Sequence, residues 1–292
     1  MEKEKLLKAG KIASKAKQYA RSIIKKDMLL LEIAEKIEDK IIELGGKPAF
    51  PASLSIDSVA AHTTPSPDDK SLAHGLLKVD IGVHVDGWIV DTAFSLDLEN
   101  NEENKKIISA SEKALENALK IINQGVFSTN EIGEAIQNTI ESYELSPIMN
   151  LSGHEINLYN VHAGITIPNI QTKNNVRLKE GIYAIEPFAS SGSGKVHNGK
   201  PSNVYIFANE KSVRSQIARE ILNFVKEEYN GLPFCSRWIV RKFGHKAIFG
   251  LKQLEDNGNI HHFPELVESE GKVSQAENTI LIEKDKVTIL TE

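Results

Sequence analysis

The chain has 292 residues, of which 40% are hydrophobic and 26% are charged, a balance typical of a globular protein. Its apolar runs are far shorter than the roughly 20 residues that cross a bilayer, so we expect no membrane segment. The single cysteine, Cys235, excludes an internal disulfide and a thiolate zinc cluster. The net charge of −5 argues against specific DNA binding. The first residues have mixed charge and no apolar stretch after them, which indicates a cytoplasmic protein.

Helical periodicity alternates with short strand patterns along the chain. The first 45 residues predict two helices, with Asp27 as the N-cap of the second and Gly45 at its C-terminal end. Two more helices are predicted over 103–122 and 129–143, the latter capped by Ser128 or Thr129. Short strands are predicted over 161–167, 181–188, 203–207 and 275–282.

Residues 211–258 differ in composition from their surroundings and predict a helical insertion. Helices are expected over 212–228 and around 245–254. This segment holds nine basic and five acidic residues, a net charge of +4 in a chain of net charge −5. Such a surface is either a solvated helical cover or a patch that favours RNA.

Residues 77–96 predict a β-hairpin around the dipeptide Asp86-Gly87, which is typical of a two-residue turn with positive φ angles. This turn places Asp91 opposite Gly82, and Asp80 opposite Ala93. Because strand side chains alternate, Asp80 and Asp91 share one face of the hairpin while the other face is apolar. The apolar face suits burial under a layer of helices.

The two aspartates are predicted to be diagonal neighbours, with backbones roughly 7–8 Å apart and only glycine and alanine opposite them. Two carboxylates so placed repel each other unless one is protonated or cations lie between them. Two metal ions about 3.5–4 Å apart fit that space. The alternative is that both aspartates lie on a solvated face.

Further candidate ligands lie downstream. His154 and His162 would be about 26 Å apart in a fully extended chain and could not then share a metal ion, although the segment 157–160 between them can bend the chain. We expect one of them to be a ligand and the other to support the ligands or to face the substrate. Glu186 and Glu277 each lie in an apolar strand, where an unpaired carboxylate is unfavourable, and the proline after Glu186 ends its strand or places it at an edge. Four carboxylates and one imidazole match the charge of two divalent ions and suit a hydrolase that uses Mn, Fe, Co or Zn: Asp80, Asp91, His154, Glu186 and Glu277.

These residues, in this order, resemble the type 2 methionine aminopeptidases, in the archaeal short form without an N-terminal extension. The resemblance covers nearly the whole chain and includes the motifs Pro48-Ala49-Phe50-Pro51, Ala61-His62-Thr63-Thr64-Pro65, Gly153-His154, Ile185-Glu186-Pro187-Phe188 and Gln275-Ala276-Glu277. It implies an α+β pita-bread fold, with a curved, mostly antiparallel sheet covered by helices. A single catalytic domain would span 1–292, with a helical subdomain inserted at 195–263.

The resemblance implies a role for each candidate ligand. Asp91 and Glu277 would bridge two divalent ions, Asp80 would complete one ion, and His154 with Glu186 would complete the other. Glu186 would also accept a proton from the hydroxide that bridges the ions and attacks the scissile carbonyl.

The resemblance also implies how the substrate binds. His62 would lie near the scissile bond, His162 would contact the substrate carbonyl, and Phe50 would project into the pocket for the methionine side chain. The substrate would be the N-terminal methionine of nascent proteins and peptides with a small second residue. We expect a monomer that acts in the cytoplasm, with the ribosome as a candidate partner.

Two positions depart from the family pattern, and two other functions stay open. Asn278 stands where the family often has histidine, and the segment 261–264 replaces a more usual Tyr-Pro. Asn278 is expected to point away from Glu277, since neighbours on a strand alternate. An Xaa-Pro peptidase uses the same ligands but carries a full domain before them, whereas 79 residues precede Asp80 here. A protein of this fold that has lost catalysis and binds ribosomes, RNA or proteins is the other alternative.

Overall fold

The computed structural model describes residues 1–284 and 286–292, which form seven helices and sixteen strands. The helices are α1 (Lys3–Ile23), α2 (Leu30–Glu43), α3 (Glu102–Asn123), α4 (Thr129–Glu141), α5 (Gln216–Tyr229), α6 (Ser236–Phe243) and α7 (Ala247–Asp256). The strands of the first half are β1 (Lys47–Pro48), β2 (Ser53–Ile56), β3 (Val59–Ala61), β4 (Leu76–Val85), β5 (Trp88–Asp97), β6 (Ser146–Pro147), β7 (Ser152–Asn157) and β8 (Asn160–Pro168). Those of the second half are β9 (Gly181–Ile185), β10 (Phe188–Ser190), β11 (Val196–Phe207), β12 (Phe234–Cys235), β13 (Ile260–Glu268), β14 (Val273–Gln275), β15 (Asn278–Glu283) and β16 (Lys286–Ile289).

The strands pair antiparallel throughout the described residues, which confirms the predicted α+β class. One sheet has the order β1-β4-β2 with β5 also on β4, and a second has the order β16-β15-β9-β7-β8. Reciprocal backbone hydrogen bonds between Ala93 and Glu277 link these two sheets into one curved layer. Two smaller sheets, β14-β10-β6 and β12-β11-β13-β3, complete the framework around the site.

Helices cover the outer side of the curved layer. The buried stripe of α1, which includes Leu6, Ala9 and Ala13, packs with α2 against β4 and β5. The helices α3 and α4 pack against each other and bury a second core with β9 and β15. The amphipathic spacing of these helices therefore leaves the inner face of the sheet free for polar residues.

The hairpin of β4 and β5 has the predicted register. Gly82 is paired with Asp91, Asp80 with Ala93, and Val85 with Trp88. Both turn residues, Asp86 and Gly87, have positive φ angles of 49° and 85°. The sequence prediction of this element is confirmed, and with it the placement of both aspartates on one face.

Three predicted boundaries differ from the structure. Asp27 is not an N-cap, because α2 begins at Leu30 and Asp27 has a φ of 65° in the preceding turn. The predicted strands over 181–188 and 275–282 are each interrupted, at 186–187 and 276–277. The first break follows from Pro187, which has no N–H to donate to the ladder. Both breaks release a glutamate from the strand alternation, so that its side chain can turn toward the site.

Other boundaries match closely. Ser128 caps α4 by accepting a hydrogen bond from the Glu131 N–H at 3.2 Å, as predicted. In residues 211–258, here called the basic segment, α5 and α7 correspond to the two predicted helices, whereas α6 was not predicted. These three helices share a small core of their own, which includes Ile221, Phe234 and Leu254. The boundaries of an inserted subdomain at 195–263 stay a prediction. Within 1–284 and 286–292, no helix is long and apolar enough to cross a membrane.

Candidate metal centre and substrate cavity

A cavity of about 360 Å³ opens on the inner face of the curved sheet. Seven of the eight predicted site residues line it: Phe50, His62, Asp80, Asp91, His154, His162 and Glu186. The eighth, Glu277, lies directly behind them, with a carboxylate oxygen within 4.8 Å of ligand atoms of Asp91 and His154. The structure thus brings together residues from six separate segments of the chain.

The five predicted ligands form one cluster. The Nε2 atom of His154 lies 3.8 Å from Asp91 Oδ2 and 3.5 Å from Glu186 Oε1. Asp91, His154 and Glu277 each turn a potential ligand atom toward a common point. Asp80 joins the cluster on the side of Asp91, its diagonal neighbour on the hairpin.

Gln275 is a member of the cluster that the sequence reasoning did not assign a role. Its amide Nε2 lies 3.5 Å from Asp80 Oδ2 and 3.4 Å from Glu186 Oε2, so it spans two of the carboxylates. Reciprocal hydrogen bonds between its backbone and the Ser95 hydroxyl, at 2.8 and 2.9 Å, fix its position. Its place in the motif Gln275-Ala276-Glu277 was the signal that could have identified it.

The carboxylates are buried without enough partners. Asp91 is 4% exposed and Glu277 is 1% exposed. Asp80 Oδ1, Asp91 Oδ1 and both carboxylate oxygens of Glu277 have no hydrogen-bond partner among the described residues. Buried ionised oxygens of this kind are strongly unfavourable unless a cation pairs with them. The donor set of oxygens with one imidazole therefore fits divalent metal ions.

The electrostatics of the cluster agree with this interpretation. Burial raises the pKa of Asp80 to about 6. Burial, and then the negative charge of neighbouring carboxylates, raises the pKa values of Asp91, Glu186 and Glu277 well above their usual range. Burial also lowers the pKa of His154 to about 3, so this imidazole is neutral and has a free lone pair. Without cations the carboxylates would hold protons.

His154 and His162 lie much closer together than an extended chain would place them. Strands β7 and β8 form a hairpin that reverses at Leu158 and Tyr159, and Asn157 pairs with Asn160. The ring centroids of the two histidines are 4.3 Å apart. The separation of about 26 Å for a fully extended chain does not apply, because the chain bends within 157–160 and the turn cancels the strand length. His154 faces the carboxylates, whereas His162 is exposed to the cavity.

His62 presents a hydrogen-bond acceptor to the cavity. Its Nδ1 lies 3.3 Å from the Pro264 carbonyl oxygen, which can only accept, so Nδ1 carries the proton. Burial lowers the pKa of His62 to about 4, which keeps the ring neutral near pH 7. Its Nε2 then has a free lone pair. The Phe263 ring packs edge-on against this histidine, with centroids 5.3 Å apart.

The other wall of the cavity is apolar. It includes Phe50, Phe188, Val204, Pro233, Phe263 and Leu266. The Phe50 ring lies against the Gly82 backbone, which belongs to the same face of the hairpin as the two aspartates. Part of the space that glycine leaves on this face is therefore filled by an aromatic ring.

Asn278 lies on the far side of the sheet from the cavity, as predicted. Its Oδ1 accepts a hydrogen bond from Lys17 Nζ at 3.1 Å and one from the Thr291 hydroxyl at 3.2 Å. Lys17 also donates to the Thr92 hydroxyl at 3.1 Å. The residues that follow Asp91 and Glu277 are thus tied to helix α1 and to the end of the chain. In the segment 261–264, the second departure from the family pattern, Phe263 and Pro264 contact His62. His262 in the same segment pairs with Glu255.

Residues 4–283 match the metallopeptidase family M24. The methionine aminopeptidase of Thermococcus onnurineus (strain NA1) is 46% identical over 296 residues, covering 99% of each chain. That of Pyrococcus horikoshii is 44% identical over 298 residues, covering all of both chains. Among solved structures, a methionine aminopeptidase from Thermotoga maritima superposes with a TM-score of 0.68 at 21% identity, over 99% of this chain and 96% of that one.

Proposed function

The chain belongs to metallopeptidase family M24 and is a metallo-aminopeptidase, and we propose that it removes the N-terminal methionine of peptides and nascent proteins with two divalent ions. The resemblance to methionine aminopeptidases and the predicted pita-bread fold are confirmed. The observation that carries the proposal is the meeting of unpaired, buried carboxylate oxygens and an apolar wall in one cavity. Assignment to type 2, and the preference for a small second residue, are part of the proposal.

The proposed ligands are Asp80, Asp91, His154, Glu186 and Glu277, with Co, Mn, Fe or Zn as the ions. Their oxygens are the hard donors that such cations bind, and the neutral His154 supplies the single nitrogen. When bound, two such ions would polarise the scissile carbonyl and lower the pKa of a water molecule so that it can attack near neutral pH. The remaining steps fall to side chains of the cavity.

Glu186 is the proposed proton acceptor for the attacking water. Its Oε1 faces His154, and its Oε2 lies near the Gln275 amide, so both oxygens are oriented toward the cluster. In the metal-free protein, burial and the charge of Asp91 raise the pKa of its carboxyl, so this position tolerates a proton on Glu186. The same proton can then pass to the leaving amine.

His162 and His62 are proposed to hold the scissile peptide group from two sides. A neutral His162 can donate its one N–H to the carbonyl oxygen as negative charge develops there. The free Nε2 of His62 can accept from the peptide N–H that becomes the leaving amine. A donor for the oxygen and an acceptor for the nitrogen match the two ends of one amide bond.

The apolar wall is proposed to bind the methionine side chain. Phe50, Phe263 and Leu266 offer a surface without charge, next to the carboxylates that would lie near the substrate's ammonium group. Sulfur and aromatic rings attract each other, which favours methionine over a polar side chain. The substrate's first residue would thus be recognised at both its amine and its side chain.

The cellular setting is also a proposal. We propose a monomer that acts in the cytoplasm on nascent chains, with the ribosome as a partner. The net charge of +4 over 211–258 supports contact with RNA, and co-sedimentation with ribosomes at low salt is its test. If the protein did not associate with ribosomes at low salt, the proposed ribosome contact would be contradicted. The proposed enzymatic activity would not be affected by that result.

The test of the activity is methionine release from a Met-Ala-Ser peptide by metal-stripped protein, before and after Mn, Co, Fe or Zn is restored. Release only after metal addition is the expected result, with no turnover of an Ala-Pro peptide measured in parallel. Turnover of Ala-Pro alone would favour the Xaa-Pro peptidase, and no turnover of either would favour a binding protein that has lost catalysis.

A further inference from the structure

A buried ion pair joins helix α2 to helix α6, outside the ligand cluster. Arg237 donates from Nη1 to Glu38 Oε2 at 2.6 Å and from Nη2 to Glu38 Oε1 at 3.0 Å. Each residue is only 4% exposed. The Trp238 indole N–H donates to Glu38 Oε2 at 2.8 Å, so the carboxylate is fully engaged.

Such a pair is not explained by stability alone. Removing two charges from water is unfavourable, and buried pairs are often replaced by apolar residues with no loss of stability. What a bidentate pair supplies is a fixed geometry, since the guanidinium and carboxylate planes meet in one orientation. Its further contacts indicate what that geometry serves.

Those contacts reach two separate loops. The Ala52 N–H donates to Glu38 Oε1 at 3.1 Å. Arg237 donates from Nη2 to the Thr64 hydroxyl at 3.1 Å and from Nε to the Pro65 carbonyl at 3.4 Å. The Thr64 hydroxyl in turn donates to the Ala52 carbonyl at 2.9 Å. Both the backbone N–H and the backbone carbonyl of Ala52 are therefore held by this network.

The two loops form one wall of the substrate cavity. Pro51 and Ser53, which flank Ala52, line the cavity, and His62 lies two residues before Thr64. Pro233, a few residues before Arg237 in the basic segment, lines the same cavity. A shift of the ion pair would therefore act first on this wall, which meets the strand of Asp80 through the pairing of β2 with β4.

We propose that Glu38 and Arg237 are a positioning pair that sets the width of the methionine pocket. This inference rests on the proposed function, because it concerns the fit of the substrate's first side chain. Neither residue contacts a proposed ligand, so the pair acts on KM and on the choice of side chain more than on kcat or metal affinity. One methylene of misfit changes selectivity by about tenfold or more.

The central variant is Thr64→Val, which removes the hydroxyl that joins Arg237 to the Ala52 carbonyl while removing no charge. Arg237→Lys keeps the charge but loses the bidentate geometry. The double variant of Glu38→Gln and Arg237→Met removes both charges, and so avoids the unpaired buried charge of a single change. The measurements are kcat and KM for Met-Ala-Ser and Leu-Ala-Ser, the Mn²⁺ affinity by calorimetry, and Tm.

We expect KM for Met-Ala-Ser to rise about tenfold in Thr64→Val and in the double variant, with the preference for methionine over leucine reduced by a similar factor. The Mn²⁺ affinity should stay within about twofold of that of the unmodified protein, and kcat should fall by a smaller factor than KM rises, because His62 lies on the same loop as Thr64. The matched control is Arg241→Met, because the exposed pair of Arg241 and Asp39 joins the same two helices, with 3.3 Å between its charged atoms, and touches neither loop. It should leave KM and selectivity unchanged.

Two other results separate the hypotheses. If the unmodified protein with metal releases no methionine, the proposed function fails, and this inference fails with it. If the unmodified protein is active but the variants lower Tm without changing KM or the methionine preference, only the positioning role is overturned. In that case the pair merely joins two helices.

Discussion

A Cβ atom added at Gly82 would lie 2.2 Å from Cε1 of Phe50, because the Phe50 ring rests directly on the Gly82 backbone. Gly82 is the strand partner of Asp91, so the ring lies beside the proposed metal centre. This glycine is thus needed for the close approach of an aromatic side chain rather than for an unusual backbone angle. The contact connects the methionine pocket, through Phe50, with strand β4, which carries the proposed ligand Asp80.

Gly82→Ala should therefore push Phe50 into the cavity. We expect KM for Met-Ala-Ser to rise about tenfold, since the methionine side chain loses space of the order of a methylene group. The kcat should change less, because the ligands keep their strands. Steady-state kinetics at saturating metal measure both.

A double-mutant cycle identifies the cause. In a Phe50→Ala background, Gly82→Ala should have little further effect on KM, because the clashing ring is gone. Additive effects of the two changes on KM would contradict the contact as the mechanism.

Metal removal should destabilise the protein most at high pH. In the metal-free protein, burial raises the pKa values of Asp80, Asp91, Glu186 and Glu277, so the folded state binds protons that the unfolded state releases. The contribution of these four carboxyl groups to the stability of the metal-free protein is greatest at low pH and is lost as the pH rises, for Asp80 through its pKa of about 6. Bound cations neutralise the carboxylates in place of those protons, so the metal-bound protein does not lose this stability at high pH.

The measurement is Tm with Mn²⁺ and with a chelator, at pH 5.5 and at pH 8. We expect the difference between the two samples to be larger at pH 8. The variant with Asp91→Asn and Glu277→Gln should show little response to metal and a shallower fall of its metal-free Tm. An equal response to Mn²⁺ in that variant would show that the ions bind elsewhere.

The hairpin of β4 and β5 could be predicted because its register is local. The Asp86-Gly87 turn fixes every pairing, and alternation then fixes which face holds Asp80 and Asp91. The distance between His154 and His162 stayed open, since the intervening turn has no glycine and only the asparagines at 157 and 160 indicate that the chain can bend there. Local chemistry was decisive in the first case and ambiguous in the second.

Contacts between distant segments of the chain could not be predicted from the sequence. Glu38 and Arg237 are 199 positions apart, and neither lies in a sequence pattern that indicates an ion-pair partner. The interruption at Ala276 and Glu277 depends on hydrogen bonds to Ala93, which no periodicity contains. The ligands themselves could be identified only because buried carboxylates are unfavourable, and because their order resembles a known family.

Gln275→Leu should lower activity through the orientation of two carboxylates. The amide lies between Asp80 and Glu186, and leucine has a similar volume but donates no hydrogen bond. Changes of residues that orient metal ligands reduce metal affinity or activity by about 10- to 100-fold. We expect a loss of this size in Mn²⁺ affinity or kcat, with KM for Met-Ala-Ser nearly unchanged.

Calorimetric titration of the metal and steady-state kinetics measure these effects. Gln253→Leu, at an exposed position of α7, is the matched control and should change neither quantity. A larger change in KM than in kcat would place Gln275 in substrate binding instead.

His84 should make the protein sensitive to acid. It is 6% exposed, and its Nδ1 accepts a hydrogen bond from the Gly87 N–H at 3.1 Å, which requires the neutral ring. Burial, and then the positive charge of Lys47, lowers its pKa from 6.5 to about 4. Between these values the unfolded chain binds a proton that the folded protein does not, so stability is lost as the pH falls from 6.5 through 4. The contribution of this one group amounts to about 2 kcal/mol between pH 7 and pH 5.

His84→Asn keeps an acceptor for the Gly87 N–H but does not titrate. Urea unfolding of both proteins at pH 7 and pH 5 should therefore show a smaller loss of unfolding free energy in the variant. His245→Asn, at a site where the side chain is 72% exposed, is the control and should follow the unmodified protein. Equal losses in the His84 variant and the unmodified protein would mean that other groups govern the acid response, because the turn at Gly87 would then be indifferent to the charge of its acceptor.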